Sequence, residues 1–133
     1  MVKKSRGNEK ILLVDNEPDI CRVYQIVLED AGYECKSYRD SVKALQEFRP
    51  NYYDLILLDI KMPILDGFGL CKKIRELDIN IKIIFITASE HYYDKLKKQS
   101  YPELSGIVYI QKPIGNEDPV KVVNTVLATK DAK

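Results

Sequence analysis

Several features that mark familiar classes of protein are scarce or missing in this sequence. Basic and acidic side chains number 21 and 20, so the formal net charge is only +1. Such a balance gives no electrostatic reason to expect binding to nucleic acid. The longest apolar run near the middle, residues 55–58, ends at Asp59 and is far too short to cross a membrane. We therefore expect neither a direct nucleic-acid partner nor a membrane partner.

Signals for export, covalent cross-linking and nucleotide binding are also missing. Residues 1–10 are basic and polar and lack the apolar stretch of a secretory signal, which predicts a cytoplasmic protein. Cys21, Cys35 and Cys71 are odd in number, widely spaced and set among apolar residues, so we expect reduced thiols rather than a disulfide or a metal site. No Gly-rich loop follows the first apolar run, which argues against a P-loop or nucleotide-binding flavodoxin-like protein.

The residues that are present suit one folded domain. Apolar residues make up 45% of the 133 positions and charged residues 31%, a composition typical of a soluble globular domain. The chain has no internal repeat, low-complexity stretch or Gly/Ser-rich linker. We therefore expect a single core rather than several.

Short apolar segments alternate along the chain with segments of helical periodicity. Strands are predicted at residues 11–14, 34–38, 54–58, 82–87 and 106–111. The helices between and after them are predicted to begin near residue 17, to span residues 41–48, 67–77 and 92–99, and to follow Asn116. Ser41 and Asn116 are predicted as amino-terminal caps, and Gly32 as the cap that closes the first helix. The residues predicted to face the core are Ile20, Val23, Val27 and Ala31 in the first helix, Leu70, Cys71, Ile74 and Leu77 in the third, and Val120, Val123 and Leu127 in the last.

This alternation predicts a doubly wound α/β fold, in which helices cover both faces of a parallel sheet of five strands. Ligands of such sheets bind beyond the carboxyl ends of the strands, so functional residues are sought there. The residues that end or follow the first, third, fourth and fifth strands are Asp15 and Asn16, Asp59, Thr87 and Ala88, and Lys112 and Pro113.

The types of these residues make chemical sense together. A carboxylate such as Asp59 can attack phosphorus and form an acyl phosphate. A divalent cation held by neighbouring carboxylates offsets the negative charge, and Mg²⁺ prefers such oxygen ligands. A lysine and a threonine hydroxyl can bind phosphoryl oxygens.

Four segments in order, ILLVDNEPDI, DLILLDIKMPILDGF, IIFITAS and YIQKPI, resemble the signature segments of response-regulator receiver domains of two-component signalling. The resemblance covers residues 10–128, leaving a polar extension at 1–9 and a tail at 129–133. It implies the flavodoxin-like strand order 2-1-3-4-5. It also implies a phosphoacceptor switch rather than an enzyme acting on other substrates, with a sensor histidine kinase or phosphotransfer protein as donor and an unknown output protein as partner.

The resemblance assigns a role to each residue at the strand ends. Asp59 matches the phosphorylated aspartate, while Asp15, Asn16 and the backbone carbonyl of Lys61 join it as Mg²⁺ ligands. The other matched residues lie in the pocket or in the switch, which changes partner affinity through the fourth helix, fifth strand and fifth helix: Thr87 as the switch hydroxyl, Lys112 as the phosphate-binding lysine, Tyr109 as the switch aromatic, and Ala88 and Pro113 as pocket residues.

Two positions depart from the family's pattern. Asn16 stands where a second carboxylate is usual, so Mg²⁺ binding should be weaker. This keeps open an alternative, a pseudo-receiver that binds partners with weak or no metal-dependent phosphorylation. Lys61 stands where phosphohydrolases of similar topology carry a second aspartate, which argues against hydrolase activity. The chain ends about where the resemblance ends, so either a stand-alone receiver or a piece of a longer protein is compatible with it.

Overall fold

A computed structural model describes residues 9–87, 108–111 and 118–128. In this structure the short apolar segments form one parallel sheet with the strand order β2-β1-β3-β4-β5. The five strands begin and end within two residues of their predicted limits and are β1 (Lys10–Val14), β2 (Glu34–Tyr38), β3 (Leu55–Asp59), β4 (Lys82–Thr87) and β5 (Val108–Gln111). Consecutive apolar residues form β1, β3 and β4 because both faces of the sheet are covered there, whereas the edge strand β2 is mostly polar and only partly buried.

Four helices are described, and they lie on the two faces of the sheet. They are α1 (Pro18–Asp30), α2 (Ser41–Gln46), α3 (Gly67–Leu77) and α4 (Pro119–Ala128), the last being the fifth helix of the prediction. Side chains alternate between the faces along each strand. In β1, Ile11 and Leu13 pack in a core with α1 and α4, whereas Leu12 and Val14 pack with α2 and α3. The predicted helix at 92–99 lies outside the described residues.

The buried face of α1 differs from the predicted one by one residue. Cys21, Tyr24 and Leu28 are buried, whereas Val23 is 40% exposed and was wrongly predicted to face the core. The other predicted residues, Ile20, Val27 and Ala31, are partly buried and pack against the same core, as predicted. Leu77 at the end of α3 was also predicted inward and is half exposed.

The helix ends are determined by local hydrogen bonds. Gly32 follows α1 with a φ of 102° and donates its amide to Glu29, as predicted for a glycine that closes a helix. The prediction that Ser41 caps α2 is wrong, because the Asp40 side chain accepts from the amides of Val42 and Lys43. Ser41 is instead the first residue of α2, and its hydroxyl donates to the backbone carbonyl of Leu65.

The length of the helices and the state of the three cysteines complete the description of the fold. None of the helices found in residues 9–87, 108–111 and 118–128 has the length and apolar character needed to cross a bilayer. Cys21, Cys35 and Cys71 are free thiols, as predicted. Burial, with a smaller contribution from Glu29, raises the pKa of the Cys35 thiol to about 12, so this group stays protonated at neutral pH.

Candidate functional site

Two carboxylates are buried side by side at the carboxyl edge of the sheet. Val14 pairs with Leu58 across β1 and β3, so the residues that follow, Asp15 and Asp59, come at matching heights on neighbouring strands. Asp15 is 0% exposed and Asp59 is 4% exposed. Carboxylates are rarely buried this deeply unless they are paired or coordinate a metal. The sheet therefore places two carboxyl groups at one point of its edge.

Asp15 is held by bonds from three directions. Its amide donates to the carbonyl of Tyr38 over 3.1 Å and extends the ladder between β1 and β2. Its Oδ1 accepts from the amide of Glu17 over 2.9 Å, which turns the chain into α1. The thiol of Cys21, one turn into α1, donates to the Asp15 carbonyl over 3.1 Å. The carboxylate of Asp15 is thus oriented by the strand before it and the helix after it.

Asp59 and Thr87 end adjacent strands at the same edge. Asp59 pairs with Ile86 of β4, and the amide of Ile60 donates to the Ile86 carbonyl over 3.2 Å. Thr87 follows Ile86, is buried, and lies opposite Gln111 of β5. The structure thus brings Asp15, Asp59 and Thr87 to one edge of the sheet, where the sequence predicted a site.

The remaining predicted site residues differ in exposure or fall outside the described part. Asn16 and Lys61 are exposed at the rim of this edge, on the segments that follow Asp15 and Asp59. Tyr109 pairs with Phe85 in β5, and only its backbone is described. Ala88, Lys112 and Pro113 lie outside the described residues.

The segment after Asp59, which we call the β3–α3 loop (residues 60–66), returns close to the strand that it leaves. The amide of Gly67 donates to the carbonyl of Ile60 over 2.7 Å and closes the loop. A Cβ atom at Gly67 would come within 2.3 Å of the Asp59 carbonyl oxygen and 2.7 Å of the Ile60 Cα. Only glycine allows α3 to begin this near to Asp59, a close approach that the sequence alone does not reveal.

The chemistry of the edge favours a hard cation. In the described portion of the chain, no three His, Cys, Asp or Glu side chains are grouped as they would be around a metal ion. The carboxylates of Asp15 and Asp59 offer oxygen ligands, which suit Mg²⁺ better than zinc or copper. The two buried carboxylates repel one another, and a cation between them would relieve that repulsion.

Comparisons with known proteins agree with this fold. The family model described as "Response regulator receiver domain" matches residues 11–124. The chain belongs to this family, the phosphoacceptor domains of two-component systems.

Among curated relatives, the alkaline phosphatase synthesis regulatory protein PhoP of Bacillus subtilis is 33% identical over 120 residues, covering 90% of this chain and 49% of PhoP. The probable transcriptional regulator ycf27 of Cyanidium caldarium is 34% identical over 98% of this chain, and the match covers 52% of the ycf27 sequence. The chain thus spans about half the length of the curated relatives that it matches.

Solved structures with the same fold include the response regulator TrrA of Thermotoga maritima in complex with Mg²⁺ and BeF. It shares 28% identity and a TM-score of 0.72, covering 89% of this chain and 98% of TrrA. The chemotaxis protein CheY4 of Vibrio cholerae is 27% identical with a TM-score of 0.71, over 89% of this chain and 98% of its own. A second similar structure is TrrA in complex with the histidine kinase ThkA. In that structure TrrA shares 31% identity with this chain and a TM-score of 0.72, covering 90% of this chain and 98% of TrrA.

The close approach at Gly67 leads to a prediction about stability. We expect Gly67→Ala to lower the free energy of unfolding by about 1–3 kcal/mol, because backbone atoms of Asp59 and Ile60 must move to admit the methyl group. Gly69→Ala is the matched control, since the one close contact of its added Cβ would be the flexible end of the Leu65 side chain rather than backbone. Urea unfolding of both variants tests this, and equal midpoints would contradict it.

Proposed function

We propose that this domain is a phosphorylation-dependent switch whose phosphoacceptor is Asp59. The observation that carries the proposal is the burial of Asp59 beside Asp15, at the strand ends where Thr87 also lies. We propose that the domain spans residues 10–128, with a polar extension before it and a short tail after it. The phosphoryl donor is a phosphohistidine of a sensor histidine kinase or phosphotransfer protein, and the output partner is a protein of unknown identity.

The proposed reaction is a transfer between two side chains. A carboxylate oxygen of Asp59 attacks phosphorus, the bond between phosphorus and the donor's imidazole nitrogen breaks, and the nitrogen keeps the electron pair and takes a proton. Bound Mg²⁺ would offset the negative charge on the phosphoryl oxygens. Lys112 supplies a further positive charge to a phosphoryl oxygen, and the Thr87 hydroxyl donates a hydrogen bond to the product.

The residues proposed to hold Mg²⁺ are Asp15, Asp59, Asn16 and Lys61, the last through its backbone carbonyl. Asp15 and Asp59 supply the charged oxygens, and Asp15 is already oriented by its bonds to Glu17 and Cys21. Asn16 is exposed at the rim, so its amide oxygen is free to turn toward the ion without leaving a core position. The similar protein TrrA has been solved with Mg²⁺ and BeF, which supports a metal in this site. TrrA has also been solved with the histidine kinase ThkA, which supports a kinase as partner.

Asp59 should be the only phosphoacceptor. We expect incubation with acetyl phosphate and Mg²⁺ to add one base-labile phosphoryl group, detected by intact-protein mass spectrometry. The addition should disappear in Asp59→Asn, because an amide is not a nucleophile toward phosphorus. Asp30→Asn is the control, since Asp30 is exposed at the end of α1 and should leave labelling unchanged. Unchanged labelling of Asp59→Asn would refute the proposal.

Asn16 should bind Mg²⁺ more weakly than an aspartate at the same position. We expect Asn16→Asp to tighten Mg²⁺ binding roughly tenfold, because a charged ligand replaces a neutral one. In the metal-free protein the same change should cost about 1 kcal/mol of stability through repulsion from Asp15 and Asp59. Calorimetric titration with Mg²⁺ and urea unfolding with chelator measure the two effects. Gln46→Glu adds the same charge on an exposed part of α2 and should change neither; equal Mg²⁺ affinities of Asn16→Asp and wild type would remove Asn16 from the ligand set.

Asn16 also favours a second candidate function. In a pseudo-receiver the domain would bind its partner without metal-dependent phosphorylation, and a neutral residue at this position is the observation that supports it. The two candidates differ in the labelling experiment, since a pseudo-receiver gains little or no phosphoryl group at saturating Mg²⁺. Asp59, Thr87 and Lys112 are all retained, which favours the phosphorylated switch.

Phosphorylation should reorganise the surface around β5 and α4, together with the segment 88–107 that the structure does not describe. A phosphoryl group adds negative charge and acceptor oxygens beside Thr87, whose hydroxyl would move to bind one of them and leave space for the Tyr109 ring. With Mg²⁺ and beryllofluoride, we expect NMR amide shifts to reach β5 and α4, and Asp59→Asn to abolish them. Shifts confined to the loops around Asp59 would contradict transmission through this face.

A further inference from the structure

The β3–α3 loop contains an unusual backbone conformation. Ile64 has a φ of 69°, in the left-handed region that β-branched residues very rarely adopt. The amide of Leu65 donates to the carbonyl of Pro63 over 2.7 Å, which closes a tight three-residue turn around Ile64. Turns of this hand are rare and strained. The Ile64 side chain is 94% exposed, so its own packing does not offset the strain.

A strained conformation of this kind persists only when the surrounding structure enforces it. Two backbone bonds hold the ends of the loop, from Ile60 to Ile86 and from Gly67 to Ile60. The middle of the loop is held from another element, because the Ser41 hydroxyl donates to the Leu65 carbonyl over 2.6 Å. Ser41 is almost fully buried at the start of α2 and lies 24 residues earlier in the chain. The bond as a whole is partly buried, and the burial of Ser41 shields its donor end from water.

We infer that Ser41 is a positioning residue for phosphoryl acceptance at Asp59, an inference that rests on the proposed function. Its hydroxyl holds the β3–α3 loop in the strained conformation that presents the backbone after Asp59, including the Lys61 carbonyl, to the site. When the bond is lost, the turn around Ile64 relaxes, and only a fraction of molecules keep the loop in place. Mg²⁺ and the phosphoryl donor then act on that fraction alone.

The first test removes the hydroxyl in the whole chain. We expect Ser41→Ala to raise the Mg²⁺ concentration needed for half-maximal labelling by acetyl phosphate about fivefold, the scale of one buried hydrogen bond. The maximal rate at saturating Mg²⁺ should fall less, because bound metal favours the positioned loop. Ser37→Ala is the matched control, since it deletes a hydroxyl bonded to Gln25 Oε1 over 2.8 Å, between β2 and α1. Its half-maximal Mg²⁺ concentration should equal that of the wild type.

The second test measures coupling between Ser41 and the strained turn. Asparagine tolerates the left-handed conformation, so Ile64→Asn relieves the strain and should reduce the effect of Ser41→Ala. Ile79→Asn changes another exposed isoleucine, outside the loop, and the effect of Ser41→Ala should persist there in full. In metal-free protein, amide exchange at Leu65 and Gly67 should accelerate in Ser41→Ala and return toward the wild-type rate in Ser41→Ala with Ile64→Asn.

The outcomes separate this inference from the proposed function. Absence of labelling in the wild-type protein would overturn the proposed function, while the metal-free exchange data would still report on the loop. Normal wild-type labelling with an unchanged half-maximal Mg²⁺ concentration in Ser41→Ala would overturn the role of Ser41 alone. A shift of equal size in Ser37→Ala, or effects of Ser41→Ala and Ile64→Asn that simply add, would overturn it as well.

Discussion

The burial of two carboxylates at neighbouring strand ends is the constraint on which the rest of this structure depends. Asp15 and Asp59 are removed from water at one edge of a parallel sheet. Desolvation disfavours charge on each of them, and their mutual repulsion adds to that cost. A core built for stability alone would place apolar residues here, as the sheet does along the preceding strands. Buried polar groups of this kind cost stability, which makes this edge the candidate functional site of the domain.

Much of the surrounding backbone serves to keep this edge in place. The first turn of α1 binds Asp15 through the Glu17 amide and the Cys21 thiol. On the other side, Gly67 lets α3 begin against the carbonyl of Asp59. The β3–α3 loop, which joins Asp59 to Gly67, is strained at Ile64. The Ser41 hydroxyl of α2 holds this loop through the carbonyl of Leu65. Helices from both faces of the sheet therefore contribute directly to the order of one small site.

The receiver-domain family explains the fold of this chain, whereas individual residues distinguish the chain from other members. The family accounts for the fold and for the positions at which reactive residues are expected. Asn16 and Lys61, exposed beside the two buried carboxylates, and the positive φ of Ile64 are read from the residues of this chain itself.

The sequence by itself determined the strands, their order along the chain and the edge at which Asp15, Asp59 and Thr87 meet, because apolar runs and the residues that end them are local signals. Tertiary structure decided that Cys21, Tyr24 and Leu28 are the most deeply buried residues of α1, because they lie between the predicted core face and the sheet. It also decided that Asp40 caps α2 and that Ser41 reaches Leu65. A hydroxyl can satisfy a nearby amide or a distant carbonyl equally well, and only the packing of α2 against the β3–α3 loop selects between them.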